Sequence, residues 1–421
     1  MPYACKRSEK MYCKEILNGE KQVYHELLIF VQTYDKQINL TALYIIIMFP
    51  HSGVTFRVMA PPENNQGEDL PFLATFTNIE KLGKGSFGTV CSALIVETSE
   101  TVAIKRVKQD ASYKNRELDI IKRLKHQNIV TLKYFFFETT SAGILYLNLV
   151  MECFSDDLYK LIKRHEKTRQ PIHMSYVKLF TYQILRALAY VHSFNIAHRD
   201  LKPENALVNG NTAVLKICDW GSAKVLEPNE RSISYICSRH YRAPELCLGA
   251  TSYTPSVDLW SVGCILCELL LGHPIFLGRS SRDQMIKVFQ ILDYPTSNDI
   301  MNMKVFVNLN DYRVRRLTTL RQMLPPNTPD NIINLISRLL KYSPNDRIKP
   351  LAACAHHVFD ELRQPNFKLP SNYPLPPLFN FTEYDIMYFI KNLACSLSSM
   401  TLSFQSTRKM AHEPQVSHHQ F

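Results

Sequence analysis

The sequence predicts an α+β fold of two lobes, a small β-rich lobe followed by a larger helical lobe. Short strand-like runs, several with alternating apolar residues, occupy residues 76–151, whereas helical patterns prevail from 156 to 362. The run VDLWSVGCILCELLLG is apolar nearly all round, which is typical of the central helix of a large helical lobe. With 421 residues, 46% of them hydrophobic, the chain is long enough to bury full cores.

Composition shifts divide the chain further. Leu40–Phe49 is strongly apolar but too short to span a bilayer, and Pro61–Asp69 reads as a polar linker. The Ser/Thr/His-rich end is expected to be disordered. The predicted divisions are an N-terminal extension of unknown structure (1–70), a small lobe (76–151), a hinge (152–155), a helical lobe (156–362), a wrap with several prolines (363–395) and a tail (396–421).

The segment HRDLKPEN, His198 to Asn205, carries the strongest chemical signal. Its aspartate, lysine and asparagine have the spacing used to move a phosphoryl group from ATP to a hydroxyl. Asp200 can accept the proton of the substrate hydroxyl, and Lys202 can reach the γ-phosphate because alternate residues of an extended loop face the same way. Asn205 follows a turn and can hold a magnesium ion. The alternative is a polar surface loop.

The segment LGKGSFGTV contains Gly83, Gly85 and Gly88 in the pattern GxGxxG. That pattern alone is weak, because dinucleotide-binding folds also use it. Here it lies between two strand-like runs, Phe76–Leu82 and Thr89–Val96, and no helix follows. This arrangement predicts a β-hairpin over nucleotide phosphates, in which glycine allows close approach of the backbone.

Further charged residues complete a predicted ATP cleft. VAIK delivers Lys105 from a half-buried strand to the α- and β-phosphates. Glu117 is its expected partner, because it shares the apolar face of a helical stretch, Tyr113–Leu124; an ordinary surface carboxylate is the alternative. Asp219, in Asp-Trp-Gly, is expected to chelate magnesium.

Two ion contacts are expected to support the cleft from the helical lobe. Glu245, in Ala-Pro-Glu, is predicted to pair with Arg347, because a buried carboxylate needs a cation. Asp258, at the head of the apolar helix, is predicted to anchor the His198–Asp200 loop from below.

Together these residues resemble a eukaryotic protein kinase, and within that group the glycogen synthase kinase 3 family. The finer resemblance covers about residues 75–385 and rests on KNRELDIIKRLKHQNIVTLKYFF, CDWGSAKVLEPNE, SYICSRHYRAPE and ACAHHVFDELRQPNFKLP. It implies a bilobal kinase fold, ATP and Mg²⁺ as cofactors, and transfer to Ser or Thr of proteins. The positions implied to contact ATP are Leu82, Gly83, Gly85, Gly88, Val90, Ala103, Lys105, Glu117, Met151, Glu152, Phe154 and Cys218, with Asn205 and Asp219 on the metal.

The resemblance also implies a preference for substrates already phosphorylated four residues C-terminal to the target. The family binds that priming phosphate with three cations, whose counterparts are Arg116, Arg199 and Lys224. A dianion that bridges three elements would draw them together. Alternatively, Arg199 is a general kinase residue and Lys224 only solvates its loop.

Tyr235 matches the activation-loop tyrosine that these kinases phosphorylate themselves. Its phosphate would pair with Arg239 or Arg242. A tyrosine that packs on the substrate-binding loop is the alternative.

At several positions the sequence departs from the family pattern, and these departures limit which family properties are expected of this chain. Trp220 replaces the usual phenylalanine, and the N-terminus lacks the basic stretch before a serine that animal members use for inhibition. Scaffold helices dock in a groove that would include Met285, Ile286 and Phe289. The loop that should complete this groove, Lys304–Arg316, has diverged, so scaffold docking is not carried over.

The overall charge and the cysteines bear on partners and location. The net charge of +11 suits a phosphate-handling cleft, since no recognisable nucleic-acid motif is found. The expectation is protein substrates, with neither nucleic acid nor a membrane as partner. The 11 cysteines show no paired framework of the kind that secreted proteins use, which predicts reduced thiols in the cytoplasm or nucleus.

Two other functions remain open. The first is a pseudokinase that acts as a scaffold; such a protein is expected to lose one of Lys105, Asp200, Asn205 or Asp219, and all four are present. The second is a kinase for small molecules, which the long activation segment fits less well than it fits an extended peptide.

Overall fold

A computed structural model describes residues 53–62, 67–85, 88–109, 115–227, 230–312 and 314–381. It confirms the predicted α+β class, with strands gathered in the first part of the chain and helices in the second. The predictions for Leu40–Phe49 and for the 396–421 tail lie outside the described residues. No helix in the described part of the chain is both long and apolar enough to cross a bilayer.

The small lobe is a closed antiparallel barrel. Its strands follow one another around the barrel in the order β1-β2-β3-β4-β6-β5, and β1 meets β5 at Met59 and Phe135. Phe56, Phe76 and Phe136 stack inside it. The strands are β1 Val54–Ala60, β2 Leu70–Gly85, β3 Gly88–Ile95, β4 Glu100–Lys108, β5 Leu132–Thr139 and β6 Leu145–Glu152.

The small lobe therefore starts earlier than residue 76, where the sequence placed it. Strand β1 falls within the predicted N-terminal extension, yet all seven of its residues pair with β2. Val58 is fully buried in the barrel. The local pattern of β1 is weak, because its burial depends on pairing with β2 rather than on its own alternation.

Helix α1 spans Arg116–Ile121 and is shorter than the predicted Tyr113–Leu124. The side chain of Asn115 accepts a hydrogen bond from the amide of Leu118, which starts the helix at Arg116. Residues 110–114 lie outside the described part of the chain. The helix packs against the turn Trp220–Ser222, which joins the two lobes beside the cleft.

The helical lobe surrounds the predicted central helix. That helix, Val257–Leu271, is buried along nearly its whole length, including Asp258 and Glu268. The helices of this lobe, in chain order, are α2 Leu158–Thr168, α3 Met174–Ser193, α4 Pro244–Cys247, α5 Val257–Leu271, α6 Ser281–Leu292, α7 Ser297–Met303, α8 Leu320–Met323, α9 Asp330–Leu339 and α10 Pro350–Cys354.

Helix α3 is the longest helix in the described part of this lobe and packs its apolar side into the core. Its polar side is also covered by protein. Gln183 is fully buried, accepts a hydrogen bond from Asn128 at 3.0 Å and accepts another from the amide of Leu215 at 2.8 Å. A buried amide of this kind needs such partners, so the covering segments satisfy it.

Short strands connect the lobes and carry the cleft residues. They are β7 Asp156–Asp157, β8 Ile196–Ala197, β9 Ala206–Val208, β10 Leu215–Ile217 and β11 Lys224–Val225. Strand β10 pairs with β9, which pairs with β7, whereas β11 pairs with β8. A bridge between Ile129 and Ile217 links the segment after α1 to this sheet.

Candidate active site

Lys105, Glu117 and Asp219 meet in one ion cluster. Strand β4 brings the Lys105 amine to 2.6 Å from Oε1 of Glu117 on α1, as the sequence predicted. The same amine lies 2.7 Å from Oδ1 of Asp219. Three separate elements are thus tied at one buried cation.

Lys105 and Asp219 keep their charges in spite of burial, whereas burial raises the pKa of Glu117 above its ordinary value. Burial lowers the pKa of Lys105, but Glu117 and Asp219 outweigh that effect and raise it above its ordinary value. Burial raises the pKa of Asp219, but Lys105 outweighs it, and the pKa falls below its ordinary range. Asp219 is therefore an ionised carboxylate at neutral pH, as a metal ligand must be.

Asp258 holds the catalytic loop from below, as predicted. Its two carboxylate oxygens accept hydrogen bonds from the amides of His198 and Arg199, at 2.8 and 2.9 Å. His192 contacts the same carboxylate at 3.0 Å. Arg199 has a left-handed backbone (φ 65°), an uncommon conformation for a non-glycine residue that these bonds stabilise.

Asp200 lies in a ring of donors. Its Oδ1 accepts hydrogen bonds from the amide and the hydroxyl of Ser238, both at 2.8 Å. Its Oδ2 accepts one from the Lys202 amine at 3.1 Å. Burial lowers the pKa of Lys202, but Asp200 outweighs this and raises it. A carboxylate and a cation are thus adjacent, and Ser238 is a partner of Asp200 that the sequence did not indicate.

Asn205 and Asp219 are joined by the backbone. The amide of Cys218, next to Asp219, donates to the carbonyl of Asn205 at 3.0 Å. The side-chain nitrogen of Asn205 donates to the carbonyl of Asp200 at 2.8 Å, which leaves its amide oxygen for a metal ion. Among the described residues, no three His, Cys, Asp or Glu side chains cluster as a metal site. One carboxylate and one amide oxygen fit Mg²⁺, which usually takes few protein ligands and adds phosphate oxygens.

The glycine-rich segment forms the predicted hairpin, with Gly85 paired to Gly88 across its turn. A Cβ at Gly88 would lie 2.1 Å from the carbonyl oxygen of Arg106, so glycine is required there by strand packing. A Cβ at Gly83 would meet nothing within 4 Å. On the strands beside the hairpin, Leu82 is exposed and Val90 is half-buried.

The predicted hinge begins at the end of β6. Ala103 on β4 pairs with Met151, a buried residue, and Phe154 and Cys218 are half-buried. Burial raises the pKa of the Cys218 thiol, so it stays protonated. The backbone amide of Glu152 donates to the carbonyl of Thr131, so only its carbonyl could contact adenine.

The side chain of Glu152 has a role that sequence reasoning missed. Both of its oxygens lie 2.7 Å from the Lys216 amine on β10, and Oε1 also accepts from the amide of Thr131. Burial raises the pKa of Glu152, but these hydrogen bonds outweigh it and lower the pKa. The contact ties the end of the small lobe to the strand that leads to Asp219.

The stretch from Asp219 to Glu245, which corresponds to the activation segment of kinases, ends in a second predicted ion pair. Arg347 donates to both oxygens of Glu245, at 2.7 and 2.6 Å, and both side chains are buried. Arg347 also donates to the carbonyls of Lys341 and Tyr342. A bidentate pair of this kind is both strong and geometrically specific.

A family model of the protein kinase domain matches residues 76–359, more than half of the chain. The chain belongs to the protein kinase family. The ion pair between Lys105 and Glu117 is one of the contacts that phosphoryl transfer by protein kinases requires.

Trp220, which follows Asp219 where protein kinases usually have phenylalanine, is fully buried. It meets the ring of His198 edge-on, with centroids 4.8 Å apart. Its indole N–H is buried and has no hydrogen-bond partner in the described part of the chain. The ring therefore stabilises the segment by packing alone.

Two of the three residues assigned to a priming phosphate are close together. Nε of Arg199 donates to the carbonyl of Ser222 at 2.7 Å, two residues before Lys224. Arg199 is almost fully buried, and Arg116 is exposed at the start of α1. The Lys224 amine lies 2.7 Å from Oε1 of Glu230 and 3.0 Å from the hydroxyl of Ser232.

Tyr235 projects from the activation segment, with 69% of its surface exposed. The guanidinium of Arg242 lies over its ring, 4.4 Å from the centroid. A hydrogen bond from Arg239 and the charge of Arg242 lower the pKa of Tyr235. Both arginines that the sequence suggested as phosphate partners therefore lie beside this hydroxyl.

The positions compared with a scaffold groove lie in a packed region. Met285 and Phe289 are buried, and Tyr312 meets the ring of Phe289 at 5.1 Å. Tyr312 belongs to the diverged loop Lys304–Arg316, so this loop covers Phe289.

Proposed function

We propose that this kinase transfers the γ-phosphoryl group of ATP to Ser or Thr of protein substrates, and that it prefers substrates with a phosphate at +4. The observation that carries the catalytic part is the cluster of Lys105, Glu117 and Asp219, which bonds through Cys218 and Asn205 join to Asp200. The serine/threonine and +4 preferences are supported by the resemblance to the glycogen synthase kinase 3 family.

The chain's own residues divide the work of transfer. Lys105, held by Glu117, binds and orients the α- and β-phosphates. Asp200 accepts the proton of the attacking hydroxyl, and Lys202 balances charge on the transferred group. Asp219 and Asn205 would hold Mg²⁺, which neutralises phosphate charge when bound. The Gly83–Gly88 hairpin covers the phosphates and limits access of water.

The priming preference is supported by the cations next to the catalytic loop. Arg199 directly precedes Asp200, and Lys224 follows the metal-binding segment. A phosphate bound between them would fix the peptide relative to Asp200, and charge-assisted bonds of this type are strong. A phosphorylated Tyr235 held by Arg239 and Arg242 would order the neighbouring substrate loop.

A pair of peptides tests this function. The two share one sequence and differ only in phosphoserine or serine at +4 from the target. We expect kcat/KM to be at least about tenfold higher for the primed peptide, as one or two charge-assisted bonds would give. Equal values would contradict the priming preference but not the kinase activity.

Activity itself is tested with Asp200→Asn, which keeps the shape of the side chain and removes the base. We expect kcat to fall by about a hundredfold or more, with ATP binding retained. A pseudokinase scaffold predicts no turnover in the unchanged protein, so both proteins would then give the same background rate. Phosphorylation of sugars or lipids but not of peptides would favour the small-molecule alternative.

A further inference from the structure

The cation site assigned to the priming phosphate contacts a carboxylate of its own chain. The Lys224 amine lies 2.7 Å from Oε1 of Glu230, six residues further along the activation segment. It also donates to the hydroxyl of Ser232 at 3.0 Å. No sequence motif had indicated a role for Glu230 or Ser232.

The same short stretch of chain is linked to Arg199 through the side chain of Tyr253. Nη1 of Arg199 donates to the hydroxyl of Tyr253 at 3.0 Å, and that hydroxyl donates to the carbonyl of Ile233 at 2.8 Å. The amide of Ser232 donates to Thr251 at 2.7 Å, which holds the stretch in place. Residues 230–233 therefore contact Lys224 directly and Arg199 through the Tyr253 hydroxyl.

The exposed fractions of the two side chains indicate which of them can move out of the ion pair between Lys224 and Glu230. The Lys224 side chain is 15% exposed, whereas that of Glu230 is 48% exposed. The glutamate can turn into solvent, whereas the mostly buried Lys224 stays in place and then needs another anion to compensate its charge. A phosphoserine carries nearly two negative charges and three acceptor oxygens, so it can replace a single carboxylate on Lys224.

We propose that Glu230 is a built-in competitor of the priming phosphate and sets the affinity of the site for primed substrates. The inference rests on the proposed priming preference. Glu230 shields Lys224 when no phosphate is bound, and a primed substrate must displace it. Because Glu230 is part of the same chain, it competes at a high effective concentration.

The test compares Glu230→Gln with the unchanged full-length chain, using the two peptides described above. Glutamine keeps the size of the side chain and removes its charge. We expect the ratio of KM for the unprimed peptide to KM for the primed peptide to rise about two- to fivefold, as expected for loss of a partly exposed ion pair.

Glu227→Gln is the matched control, since Glu227 is an exposed glutamate on the same segment. It makes the same change in net charge and should leave the ratio unchanged. An equal rise in both variants would mean a general charge effect and would overturn the proposal.

The remaining outcomes separate the two proposals. If the unchanged protein prefers the primed peptide and Glu230→Gln has the same ratio, the competitor role is wrong and the priming preference stands. If Glu230→Gln lowers the ratio, Glu230 positions Lys224 for phosphate and the proposal is also wrong. If the unchanged protein treats both peptides alike, the priming preference fails, and the competitor role with it.

Discussion

Glu268 is a carboxyl group in the middle of the apolar helix α5, with 1% of its surface exposed. It accepts a hydrogen bond from the Tyr241 hydroxyl at 2.7 Å. Burial raises the pKa of Glu268 from 4.5 to about 7, and the Tyr241 bond only partly offsets this effect. The folded protein therefore binds a proton near neutral pH that the unfolded chain has already released.

This raised pKa makes stability depend on pH. The contribution is fully present below about pH 4.5 and is lost as the pH rises through about 7. Glu268→Gln keeps an acceptor for Tyr241 and removes the titration. Between pH 5 and pH 8 we expect the unchanged protein to lose up to about 3 kcal/mol relative to the variant.

Urea unfolding of the two proteins at several pH values measures this difference. Parallel pH profiles of the unfolding free energy would show that Glu268 is ionised at pH 5 already.

At the scale of elements, the pair Glu245–Arg347 joins α4 to the segment after α9. The distance of 102 residues along the chain means that this contact closes a large part of the helical lobe. Both side chains are essentially inaccessible to water. Removal of one partner would leave a charge buried without compensation.

Arg347→Met is therefore expected to lower the free energy of unfolding by about 3–5 kcal/mol. Lys163→Met is the control, because the Lys163–Glu166 pair on α2 has exposed side chains. Its loss should change the same quantity by about 0–1 kcal/mol. Urea denaturation measures both, and similar losses in the two variants would contradict the assignment of burial as the cause.

At the scale of the whole molecule, the wrap after Arg363 ties the helical lobe to the segment between α1 and β5. Gln127 in that segment donates to the carbonyl of Pro377 at 2.8 Å and accepts from Asn380 at 2.9 Å. Leu378 is buried, and the guanidinium of Arg186 lies over the ring of Phe381. The wrap thus holds the segment that follows the helix carrying Glu117.

Two shortened chains measure how much this contact contributes to stability and activity. One ends at Phe381 and the other at Leu375, so they differ only in the six wrap residues 376–381. We expect the shorter chain to be less stable by at least about 2 kcal/mol, the value of burying one leucine. Its kcat/KM should fall as well, since α1 is less firmly held. Equal thermal midpoints and equal activity would mean that the wrap is only peripheral.

Local sequence patterns were sufficient to predict those features whose structure depends on a few neighbouring residues. The catalytic loop, the glycine hairpin and the central helix could be predicted because their spacing and apolarity are properties of a few neighbouring residues. The pairs Lys105–Glu117 and Glu245–Arg347 could also be inferred, since a buried charge has few possible partners.

Other features could not be predicted because their neighbours are distant in sequence. Strand β1 has a weak pattern of its own and is defined by pairing with β2 and β5. Ser238 lies 38 residues after Asp200, and Lys216 lies 64 residues after Glu152. Nothing near these residues in the sequence indicates such contacts.

The sequence by itself determined the two-lobed class and indicated which residues could carry the chemistry of the cleft. Only the tertiary structure decided which charges are paired, which are buried and that Glu230 contacts Lys224. The physical reason is that residue type and spacing set local structure and chemical capacity, whereas pairing and burial depend on folding distant segments together.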